Sequence, residues 1–325
     1  MYDIKKPFQF HIELTDKCNA RCPSCARTKI NNDGSLTTAE SVKGNEITID
    51  TFKKMFSSWD KPIYDMFFCG NYGDPILAKD FLDIIEYTKT AIKPDKITVH
   101  TNGGVRSTGW WKTLAGILKE QNHYVEFGIE GVTQEIHSRY RVGTSINKIF
   151  NNAKAFIEAG GCATWKMVVH KHNEDQVDIC EKTAKDMGFS GFSIEPSTRL
   201  EAPLNYVFKG SNYSLEKTTK YTNSNIPTKE IDCYSAKKNS IYIAADSNVH
   251  VCCWLASLSS QHLPNRIVNR PSNDLPLINC AINKWSMKTL PKSFKTNPNF
   301  RCIEICQKKT GQNLDNHGIK TKISK

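Results

Sequence analysis

No segment of the chain is apolar over the length that a bilayer requires. Nor does an apolar stretch follow the opening Met1-Tyr2-Asp3-Ile4-Lys5-Lys6, so no secretory signal is expected and the protein is placed in the cytoplasm. Internal repeats, arginine-rich blocks and RNA-binding motifs are also missing. Acidic residues are in deficit: 33 Asp and Glu stand against 44 Lys and Arg, a net charge of +11. The tail after Cys306 supplies +4 of this, with five lysines (Lys308, Lys309, Lys320, Lys322, Lys325) against Asp315. A solvated basic surface is the plain consequence. An anionic substrate or RNA is the functional one.

What the chain does have is size and cysteine. Its 325 residues are 39% hydrophobic and 24% charged, enough to form a core without disulfide staples. The length suggests two domains, or one larger α/β domain with an appendage. Twelve cysteines in a reducing compartment point to metal or redox chemistry. Three cluster near the start, six follow Ile231, and Cys69, Cys162 and Cys180 are isolated.

From Phe8 to about Pro196, short apolar runs alternate with amphipathic ones. Phe8–Thr15, Tyr64–Gly70, Lys96–Thr101, Tyr124–Ile129, Ala163–His170 and Gly191–Glu195 are predicted strands. Phe52, Met55 and Phe56, then Phe81, Ile84 and Ile85, repeat at i, i+3, i+4 and predict helices between them. Asn173 with Gln176 resembles a capping box, and Gly188 would close that helix. Such alternation implies a parallel sheet with right-handed crossovers, and six units could form an open or partial barrel. Functional groups then gather at the C-terminal strand ends. Polar residues 27–45 read as a long loop and residues 197–230 as a linker. Ser240–Ala244 and Asn248–Cys252 read as a hairpin around Ala245–Ser247.

Directly after the first strand stands Cys18-Asn19-Ala20-Arg21-Cys22-Pro23-Ser24-Cys25. Three thiolates this close on one loop can hold three corners of a [4Fe–4S] cube, leaving the fourth iron open to a ligand. A zinc site commonly pairs two cysteine knuckles, and no fourth cysteine lies nearby. The second strand runs into Cys69-Gly70-Asn71-Tyr72-Gly73-Asp74-Pro75 and the third into Thr101-Asn102-Gly103. Gly128-Ile129-Glu130-Gly131 ends the fourth, followed by His137 and Tyr140-Arg141-Val142-Gly143. His100, His170, His172 and Lys166 lie on or near strand ends as further polar candidates.

Taken together, these motifs resemble the radical S-adenosylmethionine (SAM) superfamily, through about residue 195. The resemblance implies that Cys18, Cys22 and Cys25 carry a [4Fe–4S] cluster whose open iron chelates SAM. It also implies reductive cleavage to a 5′-deoxyadenosyl radical that abstracts hydrogen, and an electron donor such as flavodoxin or ferredoxin. Gly73, Asp74 and Pro75 match the last three positions of a Gly-Gly-Glu-Pro-like turn that holds the SAM amino group, with Asp in place of Glu, and Tyr72 precedes them as a further implied SAM contact. Thr101 and Asn102 fall near the ribose. Glu130 sits in a Ser-Ile-Asp-Gly-like stretch, and Arg141 would pair with the SAM carboxylate through its fork of donors. Ser24 stands where an aromatic residue is common, and Gly128 where a serine is.

Cys233, Cys252, Cys253, Cys280, Cys302 and Cys306 fill the C-terminal region. With Asp246–Cys252 they resemble the SPASM/twitch type of C-terminal domain, although Ser247 replaces a usual glycine. Six cysteines are too few for the seven-cysteine pattern with two clusters. One auxiliary [4Fe–4S] cluster on Cys233, Cys252, Cys302 and Cys306 is the expectation, and zinc is the alternative for the same four thiols. Cys252 and Cys253 would face opposite sides of a strand. Cys253 or Cys280 could be a hydrogen-atom donor, or a buried structural thiol.

The expected architecture is a partial (β/α)6 barrel over residues 1–200, a linker over 201–230 and a twitch-like domain with a β-hairpin over 231–325. The expected activity is radical SAM chemistry on an unidentified substrate. Oxidation of an alcohol or amino sugar, ribosomal-peptide modification, and nucleotide or RNA modification all stay open. With seven residues before the first strand, no fused leader-peptide recognition domain is expected there. The alternative is a metal- or cluster-containing nucleic-acid-binding protein without radical chemistry.

Overall fold

The computed structural model describes residues 3, 5–119, 122–197, 200, 202–221, 226–231, 233–250, 252–256, 307–310 and 319–321. In chain order the first elements are β1 (Phe8–Ile12), β2 (Thr28–Ile30), β3 (Leu36–Thr38), α1 (Ile49–Phe56), β4 (Ile63–Phe68), α2 (Phe81–Tyr87), β5 (Ile97–Thr101) and α3 (Thr108–Ile117). Then follow β6 (Tyr124–Gly128), α4 (Gln134–Tyr140), α5 (Ile146–Glu158), β7 (Ala163–Val169), α6 (Val177–Asp186) and β8 (Gly191–Pro196). The remainder is β9 (Leu204–Phe208), β10 (Ser211–Leu215), β11 (Ile226–Ile231), α7 (Tyr234–Lys237), β12 (Ser240–Ile243), β13 (Val249–His250), α8 (Cys253–Ala256), β14 (Gln307–Thr310) and β15 (Ile319–Thr321).

All six predicted strands are present, within a few residues of their expected ends. β1, β4, β5, β6, β7 and β8 pair in parallel and in sequence order. Residue parity divides the sheet into two faces. Phe8, Phe10 and Ile12, Val125 and Phe127, and Trp165 and Met167 are buried in one core with Phe52, Trp111 and Phe156 of the helices. The alternate positions Gln9, His11, Thr98, His100, Glu126 and Lys166 line the opposite, polar face.

Four helices, α1, α3, α4 and α5, start where a hydroxyl can hold a free backbone N–H. Thr48, Ser107, Thr133 and Ser145 are extended caps whose side chains accept from Thr51, Trp110, Ile136 and Lys148. The predicted capping box does not form. Asn173 Oδ1 accepts instead from His170 N, its Nδ2 donates to the Glu130 and Val168 carbonyls, and Gln176 Oε1 accepts from Val132 N. Both amides satisfy strand ends that would otherwise leave buried polar groups unpaired. Gly188 does close α6, with φ +85° and its N–H on the Lys185 carbonyl.

Two polar segments hold more structure than their composition suggests. In residues 27–45, β2 and β3 form a hairpin. Residues 204–215 of the expected linker form another, β9–β10. It turns at Lys209-Gly210, both with positive φ, and buries Tyr206 and Leu215 beside Ala20 and Tyr140. The expected hairpin around Ala245–Ser247 is present as β12–β13, and Ser247 takes φ +67°, where glycine would be free of strain. β12 also pairs in parallel with β1, so this hairpin extends the main sheet. At the other end, β15 pairs antiparallel with β8. The strand expected to run through Cys252 ends at His250, and Cys253 opens α8. Strand alternation therefore does not govern the Cys252–Cys253 pair, because the Cys252 carbonyl accepts a helical bond from Ala256.

The segment after β10 is pinned by Glu174. Its carboxylate accepts from Thr218 Oγ1 at 2.6 Å, Thr219 N at 2.7 Å, Thr219 Oγ1 at 2.8 Å and Lys220 N at 3.2 Å. Burial works to raise its pKa, but these four bonds prevail and hold it down at about 2. A carboxylate depressed in the folded state stabilises above its unfolded pKa, and this is lost as pH falls through the folded value. Thermal melts of the wild type and Glu174→Gln should therefore differ at pH 6 and converge between about pH 4.5 and pH 2. A constant difference across that window would refute the assignment.

Candidate active site

The loop leaving β1 carries Cys18, Cys22 and Cys25, and neighbouring strand ends hold it from several sides. Asp74 N donates to Lys17 O, and Arg21 N to Val142 O, both at 2.9 Å. The buried Arg27 guanidinium donates to Asp16 O at 2.9 Å and Tyr72 O at 2.7 Å. Cys22 is buried and the other two thiols are half-buried. Asn102 Nδ2 approaches Cys18 Sγ at 3.7 Å, Arg141 Nη1 approaches Cys22 Sγ at 3.9 Å, and Cys25 Sγ lies 3.9 Å from Asn71 O.

Burial pushes the Cys18 thiol up to about 12, helped by Asp74 and Cys22. It pushes Cys22 up to about 11, where Arg141 works in the opposite direction and Cys25 adds to the rise. Each thiol thus lies within electrostatic reach of the next along the loop. Arg27 acts on Cys18 and Arg141 on Cys22 in the lowering direction, yet burial prevails, so three thiolates here need further positive charge. Among the described residues, no three His, Cys, Asp or Glu side chains are grouped to hold one metal ion. An iron–sulfur cube asks for something else: three spaced thiolates, one per corner, with positive iron behind them. The donor set fits that group.

Around this loop the structure brings together all the predicted SAM-binding positions. Gly73 packs so tightly on the β1 loop that a Cβ would lie 1.7 Å from Thr15 O. Asp74 is buried: its Oδ2 accepts from Thr101 Oγ1 at 3.0 Å, Asn102 N at 2.8 Å and Asn102 Nδ2 at 2.6 Å. Asn102 Nδ2 also donates to Asn19 Oδ1 at 2.9 Å. Burial raises the Asp74 pKa against these bonds. Glu130, fully buried, accepts from Arg141 Nε at 2.9 Å and Nη2 at 2.8 Å through Oε1, and from Val168 N at 2.6 Å through Oε2. The missing side chain at Gly128 now has a reason: a Cβ there would lie 2.3 Å from Arg141 Nη2.

Sequence reasoning missed Glu13 and Tyr242. Glu13 Oε1 accepts from Tyr72 N at 2.7 Å and Gly73 N at 3.0 Å, and Tyr242 of β12 donates to Oε2 at 2.7 Å. No motif marked Tyr242, because its partner lies 229 residues away. His137 was seen, and its role is now defined. Nδ1 accepts from Glu130 N, so Nε2 donates to Thr144 Oγ1, whose hydroxyl donates to Arg141 O. Burial lowers its pKa to about 3 and keeps it neutral.

His170 stacks on His172 and lies against Tyr140, and burial lowers the pair to about 3 and about 4. His100 and Lys166 face the polar side of the sheet. Asn71 Nδ2 donates to Cys253 O at 2.8 Å, so Cys253 borders the β4 loop. Cys233 precedes α7, and Cys252 packs at the core's edge. Cys280, Cys302 and Cys306 lie outside the described residues.

The model of the radical SAM superfamily matches residues 12–182, just over half the chain. The chain belongs to the radical SAM superfamily. Membership implies a [4Fe–4S] cluster and SAM. No curated protein sequence matches the chain. Among solved structures, it is similar to Streptococcus suis SuiB bound to S-adenosylmethionine: TM-score 0.55, 13% identity, covering 80% of this chain and 63% of that one. It is similar also to anSMEcpe with bound AdoMet: TM-score 0.57, 16% identity, covering 93% of this chain and 89% of that one. At such identities the likeness is one of fold. This radical SAM chain spans less than two thirds of the SuiB length. Among its described residues, no helix is long and apolar enough to cross a membrane.

Proposed function

We propose that this enzyme cleaves SAM reductively and uses the radical to abstract hydrogen from a substrate on the polar face of its sheet. The observation that carries the reading is the set of three neighbouring thiols beside the Asp74–Asn102 and Glu130–Arg141 arrangements. Cys18, Cys22 and Cys25 would hold the cluster, which supplies the electron that breaks the SAM sulfonium and yields the 5′-deoxyadenosyl radical.

The chain's own groups then bind and orient. Glu130 occupies Arg141 Nε and Nη2, leaving Nη1, on the Cys22 side, for the SAM carboxylate. Asp74 fixes Asn102 and Thr101 at the end of β5 for the ribose and acts as a positioning residue. Tyr72 and Gly73 present backbone beside the cluster loop, with their N–H groups oriented by Glu13. An external one-electron carrier such as flavodoxin or ferredoxin would reduce the cluster. Cys233, Cys252, Cys302 and Cys306 would hold an auxiliary cluster, with Cys253 or Cys280 as a candidate hydrogen donor. SuiB has been solved bound to its precursor peptide SuiA and anSMEcpe with bound AdoMet and the Cp18Cys peptide, so peptides open the substrate screen.

The test is a metal count on protein purified without oxygen and reconstituted. About eight irons in the parent and about four after joint Cys18→Ala, Cys22→Ala and Cys25→Ala substitution would support both clusters. The parent, reduced, would then release 5′-deoxyadenosine and the variant none. About four irons plus one zinc in the parent would leave the radical site and make the C-terminal set structural. Zinc without iron in both would overturn the reading and favour salt-sensitive nucleic-acid binding instead.

A further inference from the structure

The loop that carries the three thiols reaches the surface beside a groove whose charges are of one sign. The groove is open, with a volume of about 600 Å³, and lies where α3 and α5 begin. Arg106, Ser107, Thr108, Lys148, Asn151 and Asn152 line it, two cations and no carboxylate. Neither helix carries an acid in its first turn. Arg106 is held in place by neutral partners. Its Nε donates to Ile76 O at 2.8 Å, its Nη2 donates to Ala78 O at 2.9 Å, and the guanidinium lies 5.4 Å from the Trp110 ring centroid. Its charge is therefore fixed but not cancelled. Lys148 is exposed, and among the described residues no carboxylate pairs with it.

Arg21 adds a third cation without an ion-pair partner, exposed on the thiol loop itself. Its N–H meets Val142 O at 2.9 Å. Asn19 O lies 3.3 Å from where a Cβ on Gly143 would sit, two residues before the Ser145 cap of α5. Behind the groove, a path of contacts leads to Cys18. Asn152 Nδ2 donates to Gly103 O at 2.8 Å and to Val105 O at 3.0 Å. Gly104 N donates to Asn102 Oδ1 at 2.8 Å, and Asn102 Nδ2 approaches Cys18 Sγ at 3.7 Å. Along this path only Gly103 and Asn102 stand between Asn152 and the Cys18 thiol.

We infer that this groove, with Arg21 beside it, is the docking surface for an acidic one-electron carrier protein. The inference rests on the reading that Cys18, Cys22 and Cys25 hold a reducible cluster. Electron transfer weakens steeply with distance, so the carrier must dock where the path to the cluster is short. Here the short path opens on a basic surface, which steers a carboxylate-rich partner and orients it. The carrier is oxidised by one electron and the cluster reduced by one. No bond and no proton moves.

The experiment follows reduction of the reconstituted full chain by a reduced acidic flavodoxin, read from the visible absorbance of the cluster. Wild type is expected to be reduced about tenfold faster than Lys148→Glu or Arg21→Glu at low salt. The gap should close at about 0.5 M salt, where screening is strong. Lys148 is three residues past the Ser145 cap, so glutamate there completes a capping box and the helix is kept. Lys185→Glu reverses an exposed charge in the last turn of α6 and should behave as wild type. Dithionite needs no docking surface and should reduce every one of these proteins. Calorimetry of oxidised flavodoxin binding, with and without reconstituted iron, should show the same loss of about tenfold in the two groove variants. Equal rates in wild type and groove variants, an equal loss in Lys185→Glu, or a cluster that dithionite but not flavodoxin reduces would overturn the inference. So would salt-sensitive RNA binding that Lys148→Glu abolishes while flavodoxin binding is unchanged. The catalytic reading fails separately, by absence of iron or of 5′-deoxyadenosine under dithionite.

Discussion

Gly73→Ala is expected to lower SAM cleavage by on the order of a hundredfold while leaving the protein folded. The added Cβ would sit 1.7 Å from Thr15 O and 2.9 Å from Asp16 Cα. Both are backbone atoms, so no side-chain rotation relieves the clash. The β4 turn and the β1 loop must separate. Separation strains the bonds from Asp74 N to Lys17 O and from Gly73 N to Glu13. The cluster loop and the SAM-facing turn then lose their register, and reacting groups displaced by about 1 Å lose roughly that factor. Gly116→Ala is the control. Gly116 is exposed in α3 with nothing within 4 Å of its added Cβ, so the change should stabilise by up to about 1 kcal/mol and leave cleavage unaltered. Full activity in Gly73→Ala would show that the turn does not position SAM.

Arg141→Ala is expected to cost about 3–5 kcal/mol and lower the melting temperature by about 10 °C. It strands Glu130, which is fully buried and keeps only the Val168 amide as a hydrogen-bond partner for its side chain. Burial already raises the Glu130 pKa, and Arg141 is the main opposing influence. Joint Glu130→Gln and Arg141→Met substitution should recover most of the stability, because no uncompensated charge remains. It should not recover SAM affinity, because the guanidinium is absent. Calorimetry and SAM dialysis separate the two effects. Arg141→Ala melting with the parent would show that Glu130 needs no buried partner. Recovered SAM affinity in the double variant would remove Arg141 from the SAM site.

Most of the sheet could be read from the chain because its signals are local. Alternating Phe, Val, Ile and Trp mark β1, β6 and β7, and hydroxyl caps precede α1, α3, α4 and α5. The cysteine loop and the Gly73-Asp74-Pro75 turn are contiguous too. Residues 204–215 were harder, since a hairpin burying only Tyr206 and Leu215 carries a weak apolar pattern. Asn173 and Gln176 misled for another reason. Capping-box spacing is local, but strand ends from β6 and β7 compete for the same amides.

By itself, then, the sequence determined the strand–helix order, the radical SAM motifs and their placement at strand ends, because each depends on residues near in the chain. Only the tertiary structure decided what those motifs touch. Glu13 and Tyr242 meet because β12 pairs beside β1, and Arg141, at the C-terminal end of α4, passes Gly128 to reach Glu130. Which charged groups share the polar face was likewise hidden: His100, Glu126 and Lys166 come together from three strands. Net charge sums over every surface, whereas a ligand responds to the few groups that parity and register turn inward.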